Sequence, residues 1–450
     1  MDIFNAAKKI IMVFNFFSKG TAAMLTIIFF AGSAAAQISK QTYVPAKVWR
    51  VPDHNDYSDS TSEFSNSRKA ESANIAIFWS KEFGQDPMQN PDVTKRFDTG
   101  AALKECERFY DFYVNKLKIV QKGKSLSDQY KILFYVIGGE EQTAFGGGAE
   151  DKIGILWTPA VRMSKAPYGA LAHELGHAFQ YLASADNGTG FRGPIMEMSA
   201  QYMLWQVYPE WMTFENYHLK SYLKKTHFAF LHPENTYHSP YVLEYWSNQH
   251  GTDFFGRLLR EAKKGEDIVM TYKRMTSRTQ KKFNDDMFTA VSRFITWDME
   301  RIRDVAAPYA NQHHTVLDTL NDGWFRIAKL NCPENYGYNG IKLRVPAAGT
   351  TISLNFKGIA GATGFRALKV NEAGWRYGFL AVKEDGSRVY SDTCSDPAGT
   401  AQFKVPAGTA FLWLIVMGAP ATHAQVAKED INNPEWPYEF KLQNTGPVTQ

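Results

Sequence analysis

The sequence predicts an α+β domain organised round one amphipathic helix, followed by an all-β sandwich domain. Three observations carry this. Ala170–Ser184 (ALAHELGHAFQYLAS) places two histidines on one face of a helical pattern. Short apolar runs of strand length precede it, among them Lys131–Ile137 (KILFYVI). Beyond Cys332 helical periodicity gives way to short alternating runs separated by turns.

In chain order, residues 1–36 read as an export signal. Lys8, Lys9 and Lys19 form a basic region, Thr21–Ala31 an apolar core, and Ser33–Ala36 a run of small residues for cleavage. The apolar core is short for a membrane span, and an uncleaved anchor is the alternative. After cleavage no later segment is expected to cross a bilayer, and the address is exported: periplasm, cell surface or extracellular. Residues 37–70, rich in Ser, Asp and Asn, predict a poorly ordered N-terminal arm or linker. The domain expected over 71–330 opens with a strand at Ala73–Trp79 and a helix at Ala101–Leu117. Lys131–Ile137 predicts a buried strand. Gly146–Gly148 predicts a flexible turn, and Ile153–Trp157 a second strand, the candidate sheet edge for an extended substrate.

The Ala170–Ser184 helix follows. At about 100° per residue, His173, His177 and Gln180 share its polar face, opposite Leu171, Leu175, Ala178, Phe179 and Leu182. Imidazoles four residues apart stand one turn above each other and can bind one ion. Glu174 falls beside that ion and is placed to take a proton from an activated water. Gly176 is explained by close approach of another backbone. Asn187-Gly188-Thr189 fits a glycosylation sequon but reads more simply as a turn. Gly193-Pro194 opens the next helix, where Glu197 is flanked by Ile195, Met196 and Met198. A carboxylate among apolar residues is costly without a cation, which makes Glu197 the candidate third ligand. Ala200, on the same face, is small enough to let the two helices meet.

From Tyr217 to Tyr309 the pattern is mostly helical. The stretch TYHSPY contributes Tyr237, His238 and Tyr241 as candidate donors to an oxyanion, with Tyr202 a further option. His250 and the pair His313-His314 read as solvated or capping residues. Residues 331–450 predict the sandwich, with a hairpin at Glu384-Asp385-Gly386 and alternating Trp375, Tyr377 and Phe379. The cysteines are Cys106, expected as a buried small hydrophobe, and Cys332 and Cys394, whose pairing the sequence leaves open. A net charge of +4 points away from nucleic acid as a partner.

HELGHAFQY followed by EMSAQY resembles the HExxHxxQ and ExxAxY signatures of plant basic secretory protein peptidases, which are Glu-zincins. The chain beyond the signal, including WRYGFLAVKEDGSRVY and WPYEF, resembles an uncharacterised family of exported bacterial proteins with a zincin-like domain before a β-sandwich. The resemblance implies a zincin-like metallopeptidase domain with Zn2+ held by His173, His177 and Glu197, and Glu174 as general base. It also implies Gln180 and Gln201 as outer partners of the ligands. Where those peptidases commonly carry aspartate this chain has Gln201, an acceptor without charge, which lowers the expected zinc affinity or activity.

The expected function is a secreted zinc metallopeptidase acting on a peptide or glycoprotein substrate, with Tyr241 and His238 as catalytic donors. The alternative is a catalytically weak zincin scaffold that binds glycans or surfaces through Trp375, Tyr377 and Trp413 of the sandwich. A third reading is zinc-dependent hydrolysis of something other than a peptide.

Overall fold

Ile132–Ile137 is buried at every position and forms the middle strand of a five-stranded sheet. The computed structural model describes residues 39–425 and 433–448, so the expected signal lies outside the described residues. The sheet is built from β1 (Lys69–Glu71), β2 (Ile75–Trp79), β3 (Ile132–Ile137), β4 (Phe145–Ala149) and β5 (Ile153–Pro159), in the order β1-β2-β3-β5-β4. The pairs β2–β3 and β3–β5 are parallel, and β1 and β4 close the edges antiparallel. Both faces of the parallel strands are covered, so their residues are apolar without alternation. Ile75, Ile77, Phe134, Val136 and Leu156 turn towards helices, while Phe78, Leu133, Tyr135 and Ile155 turn the other way.

The second face is covered by the segment expected to be a poorly ordered arm. Val48 and Phe64 are buried against Phe78 and Tyr135. Arg68 is buried and donates to the backbone carbonyls of Ser60 (2.6 Å) and Ser62. The Asp-Ser composition serves turns here. Asp56 accepts from the Ser58 amide and Asp59 from the Thr61 amide, each at 2.8 Å. Turn-forming side chains and solvating side chains are the same residue types, and composition alone does not separate them.

The other face carries α1 (Thr99–Asn115), α2 (Gly169–Asn187) and α3 (Ile195–Val207). Asp98 caps α1 through the Ala101 amide, and Cys106, Phe109 and Tyr113 form its buried stripe. Tyr113 donates to the Ala172 carbonyl at 2.9 Å and fixes α1 to α2. Among the described residues seven further α-helices follow: α4 (Trp211–Phe214), α5 (Asn216–Leu223), α6 (Tyr241–His250), α7 (Phe254–Glu261), α8 (Ile268–Met275), α9 (Gln280–Phe294) and α10 (Arg303–Ala306). Among the described residues no helix is long and apolar enough to cross a membrane.

Two antiparallel sheets complete the mixed α and β architecture. One is β11-β10-β13-β8 and the other β12-β9-β14-β7-β6. Their strands are β6 (Leu317–Thr319), β7 (Trp324–Ile327), β8 (Tyr338–Leu343), β9 (Thr351–Gly358), β10 (Trp375–Lys383), β11 (Arg388–Tyr390), β12 (Ala398–Lys404), β13 (Thr409–Gly418) and β14 (Tyr438–Gln443). Strands β6 and β7 thus belong to the sandwich although they precede position 331. The β10–β11 hairpin turns at Asp385-Gly386, with Gly386 at φ +79°.

Alternation along β10 sends Trp375, Tyr377 and Phe379 between the two sheets. Leu380 and Val382, with Trp413, Ile415 and Met417 of β13, pack instead into the helical core. Arg376 pairs with Asp285 of α9 at 2.7 Å, and Trp413 donates to Asn311 at 3.1 Å. The four-stranded sheet is therefore buried on both sides, and residues from Lys40 onward form one unit. Trp375, Tyr377 and Trp413 are each at most 3% exposed, so none of them can stack on a sugar. The three thiols are free, including Cys332 and Cys394. His313, expected at the surface, is buried and bonds the Tyr338 hydroxyl at 2.7 Å.

Burial pushes the pKa of His218 and His313 down to about 3 and that of His227 and His232 down to about 4. These imidazoles stay neutral in the folded chain and take up protons on unfolding. Their contribution is complete above the unfolded value of about 6.5 and is lost as pH falls below it. The melting temperature should drop between pH 6.5 and 5, above the range of ordinary carboxylates, with net proton uptake on unfolding. A flat melting temperature over that window would contradict the neutral assignment.

Candidate metal centre

Helix α2 runs across the sheet and ends at Gly188, whose left-handed φ of +69° stops it. The Asn187 side chain is engaged with the Ala262 carbonyl at 3.1 Å, in keeping with a turn at the sequon. The loop to Pro194 reverses the chain, and α3 returns alongside α2 with Glu197 in its first turn.

This brings three donor atoms together. Nε2 of His173 and Nε2 of His177 each lie 3.0 Å from Oε2 of Glu197, and 3.1 Å from one another. Among the described residues it is the one cluster of three such groups suited to hold an ion. Four-coordinate zinc with bonds of about 2.0–2.2 Å needs ligand atoms roughly 3.3 Å apart, close to this triangle. Two imidazole nitrogens facing each other across 3.1 Å, with a carboxylate oxygen between them, suit a cation at the centre.

Gln180 fixes the orientation. Its Nε2 donates to the Met196 carbonyl (2.8 Å) and to Oγ of Ser199 (2.9 Å), so its Oε1 is left to accept from Nδ1 of His177 at 2.9 Å. With the proton on Nδ1, the neutral His177 turns the lone pair of Nε2 into the triangle. Gln180→Ala should lower zinc affinity about 10- to 100-fold with the fold intact, read by competition with a chelator.

Burial opposes ionisation of Glu197, but bonds from His173 and His177 outweigh it and hold the carboxyl well below the usual range. Burial also opposes protonation of His177, and Glu197 with Glu174 outweighs it, raising the pKa. Glu174 is not in the triangle. It is 8% exposed, and burial raises its pKa against the pull of the two histidines. That is the environment of a proton-transfer group.

The remaining candidates divide. Gln201, one turn beyond Glu197, bonds Nε2 of His218 on α5 at 3.1 Å and neither ligand imidazole. Tyr241 is fully buried between Trp205, Tyr222 and Trp297, because it is the first residue of α6 and lies on its core face. His238 meets His218, Nδ1 to Nδ1 at 2.7 Å. Tyr202 is buried and bonds Ser247 at 2.5 Å. Tyr237, in the loop before α6, is the aromatic that reaches the centre. Its ring stacks on His173 at 6.1 Å, and its phenol is pushed up to about 12 by burial and by Glu197.

Residues 34–449 match a family described as a family of unknown function, DUF6055. The chain belongs to the DUF6055 family. No curated protein matches it. Among solved structures, a family 22 carbohydrate-binding module of Xyn10B from Clostridium thermocellum is similar at 13% identity and TM-score 0.18, over 29% of this chain and 78% of that one. Accessory secretory protein 1, 2 and 3 of Streptococcus pneumoniae is similar at 8% identity and TM-score 0.18, over 31% and 88%. The M60 catalytic domain with CBM51-1 and CBM51-2 of ZmpB from Clostridium perfringens is similar at 10% identity and TM-score 0.28, over 86% of this chain. The DUF6055 chain spans 60% of the length of that last structure. The reading of its centre therefore rests on its own residues.

Two further features of this DUF6055 chain had no signature in its sequence. Arg162 and Glu215 stand close enough to act on the centre: burial raises the pKa of Glu215, as it does that of Glu174, with Arg162 and His173 among the groups that oppose the rise. The glycine-rich stretch is a strand. β4 forms the sheet edge in place of β5, which lies between β3 and β4. A Cβ on Gly146 would lie 2.3 Å from the Glu174 carbonyl oxygen and 2.6 Å from Cβ of His177. Only glycine lets the strand lie this close to the ligand helix. At Gly176 a Cβ would meet Ala200 at 3.5 Å, an ordinary contact. Gly146→Ala should therefore destabilise by about 1–3 kcal/mol. Gly176→Ala should be neutral or stabilise by up to about 1 kcal/mol. Chemical denaturation of the two variants checks both signs.

Proposed function

We propose that the chain is an exported zinc-dependent hydrolase of peptide bonds. The observation that carries this reading is the triangle of His173, His177 and Glu197 with a separate buried carboxyl, Glu174, beside it. Zinc bound there supplies Lewis acidity at the attacked carbonyl and acidifies water. Glu174 takes the proton from that water and returns it to the leaving amine. Tyr237, stacked on His173, donates its phenolic hydrogen bond to the oxyanion. The free edge of β4, held against α2 at Gly146, pairs with the backbone of an extended substrate.

This arrangement supports the zincin-like reading of the domain over the alternative of a binding scaffold. The aromatic residues expected to carry glycan binding are interior side chains. An unbiased peptide-library digest by the zinc-loaded chain, run with and without a chelator, tests the proposal. Chelator-sensitive cleavage is expected. A chain that holds zinc and cleaves no peptide would overturn it.

A further inference from the structure

Gly146 faces α2, so its neighbours in β4, Phe145 and Gly147, belong to the opposite face of the sheet. Most of that face is sealed by the segment leading to β1. At the β4 edge the cover is Trp49. Its ring meets Phe145 edge-on, with centroids 4.8 Å apart, and Trp157 at 5.5 Å. Arg50, at a left-handed φ of 63°, sets its guanidinium 4.7 Å from the Trp49 ring and pairs with Glu141 at 2.8 Å. Trp49 is held by these partners and still is 49% exposed. The interior of this face has other cover from the same segment, Tyr57 against Phe78 and Phe64 against Tyr135. A fixed, half-open indole thus stands against Phe145, next along the strand from the glycine packed on His177.

We propose that Trp49 and Phe145 form a substrate subsite for a bulky aromatic side chain of an extended peptide lying along β4. The inference rests on the peptidase reading, which is what brings a peptide to this edge. Side chains of a paired strand alternate between faces. A residue whose side chain points towards α2 and the metal centre is therefore flanked by residues whose side chains point towards Trp49. An aromatic side chain there gains an edge-to-face contact with the indole. Selectivity then lies one residue away from the position facing the centre. Residues 40–70 contribute to recognition as well as covering the sheet.

The test uses the full zinc-loaded chain carrying Glu174→Gln, which binds without turnover, and fluorescent peptides in which a single phenylalanine is walked through an alanine-rich sequence. Anisotropy titration should show tighter binding, by about five- to tenfold, at positions of one parity only. Trp49→Ala in the same background should abolish that preference, and Trp49→Phe should retain most of it, with thermal melts confirming that both are folded. An undiminished preference in Trp49→Ala overturns the subsite, as does an absence of preference in the parent. Peptides carrying a glycosylated threonine form a second arm. If they bind more tightly than the phenylalanine peptides, the indole takes a sugar and the aromatic assignment fails. If the Glu174→Gln chain binds zinc and no peptide at all, the peptidase reading falls and the subsite falls with it.

Discussion

Glu174→Gln should lower peptide hydrolysis by about 10²- to 10⁴-fold while zinc content stays unchanged. The separation of the two effects follows from geometry. The triangle suited to a metal ion consists of His173, His177 and Glu197, and Glu174 belongs to none of its edges. Glutamine keeps the shape of the side chain and removes its capacity to take a proton. Burial raises the pKa of Glu174, which favours uptake of the proton from the attacking water. Metal analysis and steady-state kinetics on the same preparation measure both quantities. Wild-type turnover in the variant would remove Glu174 from the mechanism, and loss of zinc would place it among the ligands.

His177→Ala should abolish tight zinc binding and, with it, the stabilisation that zinc gives the folded chain. A ligand that binds only the folded state contributes about 4 kcal/mol when its free concentration is a thousand times its Kd. Adding chelator to the zinc-loaded wild type should therefore lower Tm by several degrees. The same addition to His177→Ala should leave Tm unchanged. Removal of His177 also breaks the link through Gln180 to the first turn of α3, so Glu197 loses one of its two imidazole partners and part of its positioning. Equal chelator sensitivity in both proteins would show that stabilising zinc binds elsewhere.

The centre was legible because its signal is local. His173, Glu174 and His177 lie within five residues, and an α-helix fixes their relative directions. Glu197 was legible because a carboxylate set among apolar residues needs a reason. Gln180 was placed by helical phase and does bond His177. Gln201 was assigned by resemblance, and the packing of α5 turned it to His218 instead. Tyr241 and Tyr237 are four residues apart in an aromatic-rich stretch. Only the point at which α6 begins decides that the first is core and the second faces His173.

The glycine run teaches the converse. Three consecutive glycines have turn composition, and nothing local shows that Gly146 and Gly148 face α2 too closely to carry a Cβ. The same holds for the sandwich. Alternation in β10 and β13 marks strands with two different faces, but both faces are apolar here. Which face meets the other sheet and which meets the helices depends on partners remote in the chain.

The sequence by itself determined the helix that carries the two histidines of the candidate centre, the carboxylate that meets them, and the change from helical to β structure towards the C-terminus. These follow from periodicities of 3.6 and 2.0 and from the cost of an unpaired charge, all of which act over short spans. Tertiary structure alone decided that β4 is the edge strand, that the sandwich shares its core with the helices, and that Trp49 stands half-exposed against Phe145 at the β4 edge. Each of those is a contact between segments far apart in sequence, and side-chain pattern specifies that a face is buried without specifying against what.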